Sequence, residues 1–355
     1  MIARLKMYDY QNLAHLYPVL ALSADLKTQK EDFIVDEIMP VTLSGEGEHC
    51  WLNITKKGSN TDFVATELAR FCGLKSGAVS YAGLKDRNAI TTQWFSVHMP
   101  GMKEPEWQDL KHDEFVINEV RRHSRKLKRG ALAGNQFKIR LRNLKGDAAD
   151  WDQRLSQILE NGVPNYFGLQ RFGHQMNNLN RAADLIEKNK LRRMKPHKRG
   201  IFLSAMRSWI FNMIVSDRIN DQTFQQAVTG DVFMLAESSA CFTEALSELL
   251  ENRLKQKEIH LTAAMWGRGD SMAAAMVAEA EQGVADQFPV FSDALEKAGL
   301  KQERRAMRLM PVNLNWEFDT DNSVTVSFEL TKGSYATAVL RELCEITDVS
   351  LPGFK

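Results

Sequence analysis

The sequence predicts an α+β protein, an α/β chain in which a β-rich domain made from both chain ends is interrupted by a more helical domain. Three observations predict it. Period-two alternation recurs between residues 32 and 143, helical patterning dominates from about 150 to 308, and alternation returns at 323–330. Strand side chains point alternately to either face while a helix repeats every 3.6 residues, so a change of period marks a change of element. A chain of 355 residues is long enough for two domains, or for one domain with an insertion. A simple split into N-terminal and C-terminal domains is the alternative.

DFIVDEI at 32–38 alternates, with Phe33 and Val35, and Glu37 in the same phase, on one side. GEGEH at 45–49 is a turn, and a second strand runs over 50–55. Residues 60–72 read as a helix: Asn60 or Thr61 caps it, Val64, Leu68 and Phe71 form its apolar stripe, and Gly73 ends it. QWFSVH at 93–98 is strand-like again. The most regular strand is NQFKIRLRN at 135–143, with Phe137, Ile139 and Leu141 on one face and Lys138, Arg140 and Arg142 on the other. Helices are expected near 150–160, 179–189, 203–217, 242–256, 272–282 and 291–307, then a strand at 323–330 and a final helix over 334–347. There is no internal repeat or low-complexity tract.

Composition narrows the function classes. The chain is 44% hydrophobic and 26% charged, which suits a globular protein with a real core. No apolar run approaches the roughly 18 residues that span a bilayer, and the N-terminus lacks an apolar signal segment, so a cytoplasmic protein is expected. The four cysteines are isolated and the eight histidines dispersed, with no metal-binding spacing, so no metal is expected. Net charge is only +1, but its distribution is uneven. RRHSRKLKR at 121–129 holds six Lys or Arg, and KNKLRRMKPHKR at 188–199 holds seven. Dense cationic patches on a near-neutral chain suit a polyanion, because each neutralised phosphate releases counterions.

The candidate chemistry centres on Asp86 in YAGLKDRNAITTQ. Lys85 and Arg87 flank it, and nearby positive charge keeps a carboxylate ionised. Such an anion at a strand–turn junction can act as nucleophile or general base. The spacing G-x-K-D-x-x-A-x-T-x-Q sets Ala89, Thr91 and Gln93 behind it on alternate positions of an extended segment.

Those residues, with Gly83, match the signature of the tRNA pseudouridine synthase D family, which the chain resembles over nearly its whole length. EDF at 31–33, GNQF at 134–137, VPNYFGLQRFG at 163–173 and GSYAT at 333–337 occur in the family's order. The resemblance implies a catalytic domain with a mixed, largely antiparallel sheet over 1–160 and 310–355, with an inserted α/β domain over 161–309. It implies an isomerase that converts uridine of tRNA to pseudouridine, at uridine 13 of the D arm, with Asp86 as catalytic residue and no cofactor. By the same resemblance Lys27 keeps Asp86 charged. Phe33 and Phe137 are candidates to pack the target base, with strand core as the alternative. Asn135 is a candidate to read its edge, with a turn asparagine as the alternative, and Tyr335 occupies a position that is often Phe in the family. Arg125, Lys126, Arg129 and Arg171 are candidate phosphate contacts, tRNA is the expected partner, and a monomer is the default. Two other readings are a non-catalytic RNA-binding protein and a paired-carboxylate hydrolase. The hydrolase needs a second acid beside Asp86, where the sequence offers cations.

Overall fold

The alternation over 32–38 and 135–143 becomes two neighbouring strands at the middle of one sheet. The computed structural model describes residues 8–236 and 238–351; part of the N-terminal segment behind the localisation expectation, residues 1–7, lies outside them. The described chain divides into two compact units, one of residues 20–160, 311–336 and 343–351, the other of residues 8–19, 161–310 and 337–342.

In the first unit the chain forms β1 (Ser23–Leu26), β2 (Phe33–Ile38), β3 (His49–Lys57), helix α1 (Thr61–Phe71), β4 (Val79–Tyr81), β5 (Ile90–His98), β6 (Phe115–His123), β7 (Gly134–Lys145) and helix α2 (Ala148–Asn161). Strand β2 pairs antiparallel with β7, Glu37 opposite Asn135 and Val35 opposite Phe137. It pairs parallel with β5, Val35 opposite Thr91. Helix α1 covers one face of the sheet, where Val64 and Leu68 join Leu52, Ile54, Phe95 and Val97 in a sealed cluster. Each such side chain withdrawn from water contributes about 1.5–3 kcal/mol. Asn60 holds the N-cap position of α1 without a side-chain bond. The hydroxyl of Thr61 serves the loop that carries Asp86 instead.

The second unit contains β8 (Val163–Pro164), α3 (Leu169–Phe172), α4 (Asn177–Glu187), α5 (Pro196–Asn220), β9 (Phe233–Leu235), β10 (Cys241–Phe242), α6 (Glu248–Lys255), β11 (Ile259–Met265), α7 (Ala275–Gln287), α8 (Pro289–Lys297), β12 (Glu303–Ala306) and β13 (Arg308–Leu309). Its sheet runs β10-β9-β11-β12. Helix α5 lies at its centre and buries Phe202, Met206, Trp209, Ile210, Phe211 and Val215. Residues 291–307 are not one helix. Gly299 turns left-handed at φ +81° beyond α8, and residues 303–306 pair with β11.

The chain then returns to the first sheet with β14 (Val312–Asp319) and β15 (Ser323–Thr331), continues into α9 (Ala336–Leu343) and ends the described segment with β16 (Glu345–Asp348). The expected helix over 334–347 therefore stops early, and its last residues pair parallel with β1. The full order is β14-β15-β7-β2-β5-β3-β6, with β1 beside β7 and β16, and β4 beside β5. Apart from β2/β5 and β1/β16 the pairings are antiparallel, so the sheet is mixed and largely antiparallel. Among the described residues no helix is long and apolar enough to cross a membrane. Cys50 and Cys344 are buried and Cys72 and Cys241 half-buried, all as free thiols.

Candidate active site

On the α1-covered face, the core-facing row of each of four strands passes between apolar and polar, and the polar positions adjoin one another. Strand β2 ends this row with Glu37 after Phe33 and Val35, and β3 with Lys56 after Leu52 and Ile54. Strand β5 begins it with Thr91 and Gln93, and β7 begins it with Asn135 before Phe137 and Ile139. Residues in register on neighbouring strands share a face. The segment 82–89 runs past this polar row and carries Asp86.

That segment is pinned along its length. Gln93 donates from Nε2 to the Gly83 carbonyl at 3.0 Å and accepts from the Thr61 hydroxyl at 2.9 Å. The Lys85 N–H donates to Thr61 Oγ1 at 3.0 Å. Lys56, wholly buried, donates from Nζ to the Asp86 carbonyl at 2.8 Å and the Ser59 carbonyl at 2.7 Å. The Arg87 guanidinium reaches the Gly58 carbonyl at 3.1 Å. The G-x-K-D-x-x-A-x-T-x-Q spacing thus describes a loop whose own glutamine ties down its glycine.

The Asp86 carboxylate ion-pairs with Lys27 through Oδ2, and its Oδ1 accepts the Asn88 N–H at 3.0 Å. Burial pushes its pKa up, but the charge and hydrogen bond of Lys27, the Asn88 N–H and the charge of Lys56 outweigh that, leaving it below the usual carboxylate value. Lys27 follows β1 at φ +58°, a conformation that side chains with a Cβ adopt at some cost. Its Nζ lies 4.7 Å from the centre of the Phe33 ring and 3.7 Å from Asp348 Oδ2. Phe33 meets Phe137 edge-on at 6.3 Å, and Phe137 stacks on Phe328 at 5.4 Å. Both rings are largely enclosed, with about 7% of their surface open.

Asn135 joins the site through Lys85, whose Nζ donates to Asn135 Oδ1 and lies 3.7 Å from Glu37 Oε1. The Glu37 side chain is enclosed, and its Oε2 accepts the Trp94 N–H at 3.0 Å. Burial raises the Glu37 pKa and lowers that of Lys85, while each charge opposes the shift of the other. Before Asn135 stands Gly134, where an added Cβ would lie 2.3 Å from the Leu330 carbonyl. The GNQF motif therefore contains a close approach of β15 that glycine permits. Tyr335 is half-buried on the segment after β15, shortly beyond Thr331, which pairs with Gly134.

The remaining candidates lie on other segments. Arg125, Lys126 and Arg129 are exposed on the loop after β6. That loop is tied to the Asp86 segment by the Gly130 N–H, which donates to the Ala82 carbonyl at 2.8 Å, and by Leu127 packed with Trp51 and Ala82. Arg171 belongs to the second unit, where Nη1 donates to Ser204 Oγ at 2.7 Å and the guanidinium lies over Phe167. On the opposite face of β7 from Asn135 and Phe137 is a cleft of about 520 Å³ lined by Lys138, Arg140, Trp316 and Asp319. The cationic face read from the sequence is largely neutralised there. Arg140 pairs with Asp319 and Asp321, and Arg142 with Asp32 and Asp321.

Sequence reasoning singled out neither Lys56 nor the coupling of Lys85 to Asn135. Lys56 carried a signal, since it occupies the buried phase of β3. Among the described residues no group of three His, Cys, Asp or Glu side chains is placed to hold a metal ion.

With the geometry established, comparison with known proteins is direct. The family model described as tRNA pseudouridine synthase D (TruD) matches residues 19–192 and 176–343. A protein of Hydrogenovibrio crunogenus named tRNA pseudouridine synthase D is 42% identical over 91% of this chain and 93% of its own length. One of the same name from Methylococcus capsulatus is 41% identical over 97% of both chains. A crystal structure from Methanosarcina mazei, assigned to the same family, superposes with a TM-score of 0.73 at 21% identity, covering 95% of this chain and 97% of that one, a likeness of fold. On these matches, the chain belongs to the tRNA pseudouridine synthase D (TruD) family.

Proposed function

We propose that this protein converts uridine to pseudouridine in tRNA, at uridine 13 of the D arm, with Asp86 as the catalytic carboxylate and no cofactor. The reaction breaks the C1′–N1 bond, turns the freed uracil and rejoins it to C1′ through C5, with no net redox change. Whether the carboxylate attacks the nucleoside or takes a sugar proton, it has to be ionised beforehand. The observation that carries the reading is the Lys27–Asp86 pair on a loop held rigidly at its backbone. Phe33 and Phe137 supply an apolar wall for an extruded base, Asn135 a polar group for its edge, and Tyr335 a ring that can close over it. The exposed cations Arg125, Lys126 and Arg129, on a loop bonded to the Asp86 segment, fit the phosphates flanking the target. Arg171 is the weaker phosphate candidate, since its guanidinium is engaged with Ser204 and Phe167.

The test is to incubate unmodified tRNA with the protein and map pseudouridine by carbodiimide-blocked primer extension. A new stop at uridine 13 is expected with wild type. Asp86→Asn should lower the rate by at least about 10²-fold, the lower end for losing a group that moves a proton. No stop with wild type, or an undiminished stop with Asp86→Asn, rejects the reading. The second outcome would favour a non-catalytic RNA-binding protein.

A further inference from the structure

We infer that Lys85 locks the Asn135 amide with its –NH2 toward the substrate base, so that this pair selects a base with a carbonyl at C4. The inference rests on the proposed function, and it names the specificity determinant within that site.

An ammonium group carries donors and no acceptor, so the end of the Asn135 amide that Lys85 touches has to be the oxygen. The lysine is itself fixed. Its side chain is about 7% exposed, and the enclosed Glu37 carboxylate stands 3.7 Å from its Nζ. Oε1 of Glu37 is buried with no hydrogen-bond partner among the described residues, so Lys85 is its electrostatic counterpart. Turning the amide over would press –NH2 against –NH3⁺ and discard a charge-assisted hydrogen bond. Nδ2 of Asn135 has no hydrogen-bond partner among the described residues and is not sealed from solvent. Asn135 therefore presents two N–H donors on the strand end beside Lys85 and Asp86.

The chemistry of the pyrimidines does the rest. Uracil offers a carbonyl at C4, which those donors can bond. Cytosine offers an amino group there, so donor meets donor. A freely rotating amide would flip and accept from cytosine, and discrimination would vanish. Held by Lys85, it cannot follow. Contacts of this kind separate bases by roughly 1–3 kcal/mol, which is about 5- to 150-fold in binding.

The experiment compares the dissociation constants of two tRNA transcripts that differ at the nucleotide the wild type converts, uridine in one and cytidine in the other. Wild type should bind the uridine form at least about fivefold more tightly. Lys85→Met with Glu37→Gln removes the buried pair together and frees the amide, and the preference should fall to about twofold or less. Asn135→Asp keeps the shape and leaves only acceptors toward the base, so the preference should reverse. Thermal unfolding of each variant reports whether it folds. If the double variant folds and keeps the wild-type ratio, the inference is overturned. If it does not fold, Asn135→Asp decides: a retained preference for uridine overturns the inference. A wild type that converts no uridine removes the functional reading and this one with it. A wild type that converts uridine but binds both transcripts equally removes this one alone.

Discussion

An ammonium group with no exposed surface has to be held by acceptors, and Lys56 has two, the carbonyls of Ser59 and Asp86. Burial pulls its pKa down to about 8, against the charge of Asp86, which raises it, while Lys85 lowers it further. Lys56 is therefore a positioning residue that also lends charge to Asp86, and the sign of its effect on activity follows. Below about pH 8 the ammonium is present and supports the carboxylate; as pH rises through 8 the proton is lost and the support fades. Asp86, with its pKa below the usual value, stays ionised throughout the neutral range and gives no acid limb there. The pH–rate profile of single-turnover conversion should be flat from about 6 to 7.5 and fall above about 8. Lys56→Met should be slower at every pH and lack the alkaline limb. A variant that is uniformly slower yet keeps that limb would show that another group titrates there. At this scale motif spacing singled out Asp86 and Lys27, which the fold brings together as an ion pair. Lys56 stayed hidden because Lys56-Lys57 reads as a solvated strand end. Its one signal was the phase it shares with Leu52 and Ile54.

Among the elements, strands were most legible where one face is core. The alternation of β2, β7 and β15 survives folding intact, and so does the stripe of α1. Strand β6 was not read, because Val116 faces solvent and a bulge at Asn118 shifts the alternation between Ile117 and Val120. The charge of a strand face was harder still to judge. Arg140 and Arg142 look like an RNA-binding stripe until Asp32, just before β2, and Asp319 and Asp321, at the β14–β15 turn, arrive beside them. The loop after β6 differs. Arg125, Lys126 and Lys128 are exposed and make no ion pair among the described residues, so their charge remains available to a phosphate backbone. Reversing Arg125, Lys126 and Arg129 to Glu should weaken tRNA binding and flatten the plot of log affinity against log salt, by roughly one unit for each phosphate no longer neutralised. Arg140→Gln, on the neutralised face, should leave that slope near wild type. Equal slopes for the loop variant and wild type would remove the loop from the interface.

For the whole molecule, the decisive feature is that neither unit is continuous in sequence. The reading of two chain ends around an insertion rests on periods and motifs, which say where elements change but not which short segments anchor them. The second unit holds residues 8–19 and 337–342 as well as 161–310. Inside it, Tyr8 stacks on Phe291 at 5.4 Å, Tyr17 donates to the Gly162 carbonyl at 2.6 Å, and Tyr166, wholly buried, donates to the Ala14 carbonyl at 3.0 Å. The PNYFGLQRFG signature is in this respect structural. Glu342, about 1% exposed, closes the arrangement. Its Oε2 accepts the N–H groups of Leu16 and Tyr17 at 2.9 and 3.4 Å, and its Oε1 accepts from Arg341 at 2.9 Å, while Arg341 also donates to the Leu13 and Ala14 carbonyls. Removing one partner from a buried, hydrogen-bonded ion pair typically costs about 3–5 kcal/mol, because the other charge is left uncompensated. Glu342→Ala should therefore lower the unfolding free energy by about that amount in urea titration. A loss under about 1 kcal/mol, the range of exposed pairs, would mean that the terminal segment is held by its aromatic contacts instead.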